Sequence, residues 1–218
     1  MEYKFKTKPY EHQLKALGMS WKKVNYAYFM EMGTGKSKVL LDNISMLYDK
    51  GAINSALIVA PKSVYRNWQI SEIPTHLPEH IDPFIGVWQA TMTKTQQEII
   101  ENCLMPQERL KVVLMNIEAF STKKGVIFAE KFLKSNKVLF AIDESTTIKN
   151  HKAKRTKTVL ALREHAKCRR ILTGMPITKN PMDLFTQCSF LDPDLLGYSS
   201  FYAFQGRYAN TIRRKGAG

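Results

Sequence analysis

The sequence predicts an α/β protein built on a mainly parallel, doubly wound sheet with helices on both faces. Two observations carry that expectation. Short apolar runs recur along the chain and are nearly continuous rather than alternating, as in strands buried on both faces of a parallel sheet. Amphipathic helical patterns lie between them, and strand and helix in alternation imply right-handed crossovers with a helical layer on each side. A chain of 218 residues, 44% of them hydrophobic, is long enough to bury one substantial core.

Taken in order, the strand-like runs fall at 26–30, 56–60, 112–115, 138–142 and 170–173, each bounded by turn-forming or charged residues. Over 36–50, Leu40, Ile44 and Leu47 recur at i, i+4 and i+7, and Gly51 follows as a stop. Helical patterns also cover 94–104, 126–134 and 152–166. Residues 71–83 carry Pro74, Pro78 and Pro83 and read as a surface loop. From Leu191 onward the chain turns aromatic and Gly-containing and runs out in RRKGAG without a closing element.

Charge narrows the partners. Thirty-three Lys and Arg against 19 Asp and Glu give a formal net charge of +14, which suits a polyanion. Residues 111–170 hold 15 basic and 5 acidic side chains and form the candidate polyanion face, a merely solubilising surface being the alternative. Cys103, Cys168 and Cys188 lie far apart and outside any CxxC spacing, which argues against a disulfide framework or a zinc site. No apolar run approaches the ~18 residues of a membrane span, and the first ten residues lack the apolar stretch of a signal peptide. An intracellular protein without a membrane partner is expected.

The strongest local signal is Met32-Gly33-Thr34-Gly35-Lys36-Ser37, directly after one strand pattern and opening a helical one. In that setting glycines let backbone N–H groups converge on phosphate oxygens, and the helix N-terminus favours the anion. Lys36 reaches the β and γ phosphates, and Ser37 holds Mg²⁺. Met30 stands at the first Gly position of the general GxxxxGK[ST] pattern. A second signal is the run 138–142 ending in Asp143-Glu144, carboxylates at the carboxyl edge of a strand. Asp143 would hold Mg²⁺ through water, and Glu144 would orient and deprotonate an attacking water. ATP and Mg²⁺ are therefore the expected cofactors. Trp68 and Trp88 invite a base-stacking reading, but Trp beside a strand end belongs more often to a core, and the core is expected for both.

Further motifs accompany these two. They are Tyr10-Glu11-His12-Gln13 followed by Ala16-Leu17; Glu31 leading into the phosphate loop; Ala60-Pro61-Lys62-Ser63-Val64 with Asn67-Trp68; and Asn116-Ile117-Glu118. Asp143-Glu144-Ser145 through Ile148-Lys149-Asn150 and Leu172-Thr173-Gly174-Met175-Pro176-Ile177 complete the set. In order and spacing the chain resembles the first RecA-like domain of superfamily-two helicases and translocases, in particular the Swi/Snf chromatin-remodeller branch with its bacterial and phage relatives. The resemblance implies a RecA-like P-loop NTPase fold, with Gln13 recognising adenine. It implies that Lys62, Ser63 and Asn116 contact a nucleic-acid backbone, duplex DNA by the branch, and that Thr173 and Gly174 couple nucleotide state to movement.

Departures accompany the match. Ser145 and Thr146 stand where the family has Ala-His, so coupling is expected to use a hydroxyl instead, and Met175 stands for a Thr, which takes one polar contact from the coupling motif. The family's second RecA-like domain, which carries the arginine finger, is not recognised in these residues. The resemblance therefore implies an ATP-binding domain over 1–190 and, over 191–218, the start of a connection toward that second domain in a longer chain. A bacterial or phage-infected cytoplasm is the expected setting. A P-loop NTPase of another class, and a DNA-binding module of the same fold without ATP turnover, stay open as alternatives.

Overall fold

In the computed structural model, residues 3–209 are described. Helix α1 (Glu11–Ser20) leads into β1 (Asn25–Phe29), α2 (Lys36–Asp49) and β2 (Ser55–Ala60). Two short helices, α3 (Tyr65–Asn67) and α4 (Ile73–His76), joined by a π-helical turn over Trp68–Glu72, precede β3 (Phe84–Val87) and α5 (Lys94–Asn102). Then come β4 (Lys111–Asn116), α6 (Lys123–Ser135), β5 (Val138–Asp143), α7 (Lys154–Leu162), β6 (Cys168–Thr173), α8 (Asp183–Leu191) and α9 (Phe201–Tyr208).

The six strands form one sheet in the order β1-β6-β5-β2-β4-β3, every pair parallel. Every residue of β2 and β5 is buried, which is why these strands read as unbroken apolar runs. Their alternate side chains serve two cores. Ala56, Ile58 and Ala60 face a cluster with Leu17 of α1 and Val39, Leu40 and Ile44 of α2, while Leu57 and Val59 face Ile100, Phe132, Val159 and Phe190 on the other side. In that second core Phe140 lies edge-on to Phe190, with ring centroids 5.0 Å apart.

The structure corrects the proline-marked loop. Of residues 71–83, 71–76 are helical, because Pro74 sits in the first turn of α4, where no backbone donor is needed, and 77–83 are the loop. Ile73, Leu77 and Ile81 then bury against the first core. The helical pattern at 126–134 begins three residues earlier, at a Thr122 side chain that accepts from Gly125 N. The pattern at 152–166 is α7 followed by a 3-10 turn, Arg163–His165.

Of the 15 basic side chains in 111–170, two, Lys111 and Arg170, turn inward, because the stretch threads three strands; the others are exposed or half-buried. Arg170 is fully buried, donating to Asn43 Oδ1 and to the carbonyls of Ser20, Lys23 and Val24, so it ties the turn before β1 onto β6. Lys111 is buried with its ammonium on the Met105 carbonyl. In the 191–218 segment, α9 rests on α8 through Phe185, whose ring lies 5.7 Å from Phe201 and 5.6 Å from Phe204. The closing RRKGAG lies outside the described residues.

Candidate functional site

Parallel pairing fixes what meets at the carboxyl edge of the sheet. Phe29 pairs with Thr173, Leu172 with Asp143, Ile142 with Val59, and Ala60 with Asn116. The loops leaving β1, β6, β5, β2 and β4 therefore emerge side by side, neighbouring strands being ~4.8 Å apart. These loops carry the phosphate-loop residues, Thr173-Gly174, Asp143-Glu144, Lys62-Ser63 and Asn116.

The phosphate loop joins β1 to α2 with Gly33 at φ 77° and Gly35 at φ 79°, conformations that exclude ordinary side chains. A Cβ on Gly35 would lie 2.3 Å from Gln13 Nε2. Thr34 turns its hydroxyl onto Glu31 O at 2.7 Å, and Met32 is exposed. The Lys36 ammonium donates to the carbonyls of Met30 and Glu31 at 3.1 and 3.0 Å, so it is held over the loop before any phosphate arrives. Ser37, in the first turn of α2, is half-buried, and its hydroxyl takes no hydrogen-bond partner among the described residues.

Asp143 ends β5, buried, with Oδ2 accepting from Trp68 Nε1 at 3.0 Å and Oδ1 from Glu144 N at 3.0 Å. Burial raises its pKa to about 6, against the pull of the Trp68 and Glu144 donors and of the Lys36 charge, while the Glu144 charge adds to the rise. Glu144 has φ 50°, the one non-glycine positive φ among the described residues, and its carboxylate carries no hydrogen bond from them. Thr173 accepts from Met175 N at 3.2 Å, and Gly174 packs so close to the phosphate loop that a Cβ would meet Met32 Cγ at 3.1 Å.

Gln13 differs from a free adenine reader. Its Oε1 accepts from Tyr10 N and its Nε2 donates to Thr34 O at 2.9 Å, so both ends of the amide bind protein. His12 Nε2 lies 3.0 Å from the same carbonyl, which fixes that nitrogen as the protonated one. Sequence reasoning missed His12 in this role, and it missed Trp68 as a donor to Asp143. Both Trp68 and Trp88 are in the core, as expected, but the indole N–H of Trp68 also reaches the carboxylate.

Farther along the edge, Lys62 and Asn116 share a cleft of about 450 Å³ with Arg66, Trp88, Gln89 and Thr122. Asn116 spends its side-chain oxygen on Ala119 N, capping the turn that follows β4. Ser63 is exposed beside the cleft and does not line it. A second cleft of about 500 Å³, sharing Trp88 and Gln89, extends it toward Lys124.

The sequence pattern of the SNF2-related domain matches residues 16–216. The chain belongs to the SNF2-related domain family. Among relatives of this SNF2-related domain, the "DNA repair and recombination protein RAD54" of Oryza sativa subsp. japonica is 27% identical over 181 residues, covering 79% of this chain and 17% of the relative. A "SWI/SNF-related matrix-associated actin-dependent regulator of chromatin subfamily A-like protein 1 homolog" of Caenorhabditis elegans is 31% identical over 180 residues, covering 83% of this chain and 23% of its own length. The fold matches the Sulfolobus solfataricus SWI2/SNF2 ATPase core solved in complex with dsDNA, with a TM-score of 0.73 at 23% identity, over 96% of this chain and 41% of that one. The SNF2-related domain here thus spans under a quarter of the length of these two curated relatives and under half of the solved core. Among the described residues, no helix is long and apolar enough to cross a membrane.

Proposed function

We propose that this SNF2-related domain is the ATP-binding half of an ATP-dependent DNA translocase or helicase. In this reading it hydrolyses ATP when paired with a second RecA-like domain and tracks the nucleic-acid backbone without reading sequence. One observation carries the reading: parallel register brings the phosphate loop, the Asp143-Glu144 pair, the Thr173-Gly174 turn and the Lys62–Asn116 cleft to one edge of one sheet.

The residues fit Mg–ATP. Gly33 and Gly35 hold the left-handed conformations that turn the loop, a Cβ on Gly35 would strike Gln13, Lys36 presents its charge beside the loop, and Ser37 and, through water, Asp143 would hold Mg²⁺. When bound, Mg²⁺ neutralises phosphate charge. Glu144, whose carboxylate no donor among the described residues occupies, orients the attacking water and takes its proton. Trp68 keeps Asp143 turned toward the loop. Gln13 supports the loop at Thr34 and recognises adenine only if its amide leaves that carbonyl. Met32 and Thr34 contribute backbone to the phosphate cradle, and Thr173 with Gly174 passes nucleotide state to the rest of the motor.

The proposed division places the ATP-binding domain at 1–190 and the start of the connection to the second domain at 191–218. The partner is duplex DNA, a class supported by the branch resemblance and the basic composition. The compact spacing of the motifs supports a bacterial or phage-infected cytoplasm as the setting. A phosphate-transition-state finger from the second domain is worth roughly 10³ to 10⁵ in rate. DNA-stimulated ATP hydrolysis is therefore expected to be near background for the 218-residue chain and to appear when a second RecA-like domain is joined to it. In that joined protein, Glu144→Gln should remove turnover while ATP binding persists. Strong DNA-stimulated turnover by the single domain, or a Glu144→Gln protein that still turns over, contradicts the reading.

A further inference from the structure

Ser145 and Thr146 replace the residues by which the family pattern links the carboxylate pair to the turn at 173–178, and the structure provides another link. Ser145, fully buried, donates through Oγ to Gln187 Oε1 at 2.6 Å. Gln187 Nε2 donates in turn to Pro176 O at 2.8 Å and to Asp183 O at 2.7 Å. Gln187 is itself fully buried, and its acceptor and both its donor hydrogens are engaged. Two hydrogen bonds through one side chain therefore join the residue after Glu144 to the 174–178 loop.

Both ends of that link bear on the nucleotide site. Glu144 is held at φ 50°, a conformation that is strained for a non-glycine residue and persists only where its surroundings enforce it. Helix α8 supplies that enforcement at two points, Gln187 on Ser145 and the Thr186 hydroxyl on Ile148 O at 2.6 Å. The same helix holds the loop, since Asp183 accepts from Thr178 N, Thr178 Oγ1 and Lys179 N. At its other end the loop touches the phosphate loop, Gly174 against Met32. A shift of the Glu144 backbone must either break the Ser145–Gln187 bond or drag Pro176 with it. Because a buried amide that loses a partner is left unsatisfied away from water, dragging is favoured over breaking.

We propose that Gln187 is a positioning residue that transmits the state of the nucleotide site, through Ser145, to the 174–178 loop. The inference rests on the nucleotide site proposed above. It is tested on this chain by backbone hydrogen exchange at residues 174, 175, 177 and 178, with and without Mg²⁺ and a non-hydrolysable ATP analogue, alongside calorimetry of analogue binding. The parent is expected to change exchange there by roughly fivefold or more on binding, the lower end of common coupling free energies. Ser145→Ala and Gln187→Met should each abolish that change while leaving analogue affinity unaltered, and the double variant should add nothing to either. If Gln187→Met fails to fold, Ser145→Ala, which deletes one hydroxyl, carries the test alone. A nucleotide-dependent change that survives in the variants overturns the proposal, as does a parent that binds the analogue with no change at the loop. A parent that fails to bind the analogue overturns the nucleotide reading instead and takes this inference with it.

Discussion

Burial of a carboxylate beside a cationic loop places two opposed demands on Asp143. As a free group it is better protonated, because burial raises its pKa to about 6; as a metal ligand it must be ionised. The sign follows from the raised value. The folded state binds this proton more tightly than the unfolded chain, so the stabilising effect is complete below the ordinary Asp value of about 3.9 and is lost as pH rises through 6. Asp143→Asn keeps an acceptor for the Trp68 N–H, gives up the one for Glu144 N, and carries no charge, whose removal from the buried site is the larger effect at pH 7.5. It is therefore expected to raise the melting temperature of the nucleotide-free chain by roughly 3–8 °C at pH 7.5 and by little at pH 4. It should also remove the Mg²⁺-dependent part of ATP affinity, which in the parent weakens as pH falls through 6. Thermal melts at the two pH values, with and without Mg–ATP, check both. A variant less stable than the parent at pH 7.5 contradicts this account of Asp143.

Whole elements were legible where one physical signal dominated. Strands β2, β4 and β5 announce themselves as apolar runs because both faces are covered, and α2 because its phosphate-loop start and apolar face agree. The segment 71–76 was not, since Pro74, with Pro78 and Pro83 close behind, read as loop, whereas a proline in a first helical turn costs nothing. Strand β3 is four residues long with a glycine, too short for a periodic pattern to rise above background. In the site, the residues inside motifs were legible, whereas Trp68, His12 and Gln187 act through neighbours 75, 22 and 42 positions away, and no local pattern records that. Two cations of the basic run are spent inside the fold in the same unrecorded way, Lys111 and Arg170 satisfying carbonyls there. The exposed Lys62 and Arg66 beside the β2–β4 cleft belong to the proposed track. Replacing Lys62 and Arg66 together by Ala should weaken duplex binding about equally for any sequence and lower the slope of log affinity against log salt by about 1–2. Titrations at several salt concentrations read this directly, and an unchanged slope would move the track elsewhere on the molecule.

At the scale of the molecule, one arrangement does most of the positioning. Because all strands run parallel, every loop after a strand faces the same edge, and the order β1-β6-β5-β2-β4-β3 sets nucleotide-site loops at one end and the cleft at the other. Helix α8 joins the loop after β6 to the turn after β5, so the two halves of the proposed ATP site are tied by one rigid element. The central claim is that this edge binds Mg–ATP through the phosphate loop, and calorimetry of Mg–ATP on the parent and on Lys36→Ala tests it most directly. In the proposed site the Lys36 ammonium is the cation for the β and γ phosphates, so the parent should bind and the variant, folded by circular dichroism, should show no measurable heat of binding. Equal binding by a folded Lys36→Ala chain would place the nucleotide elsewhere and contradict the account.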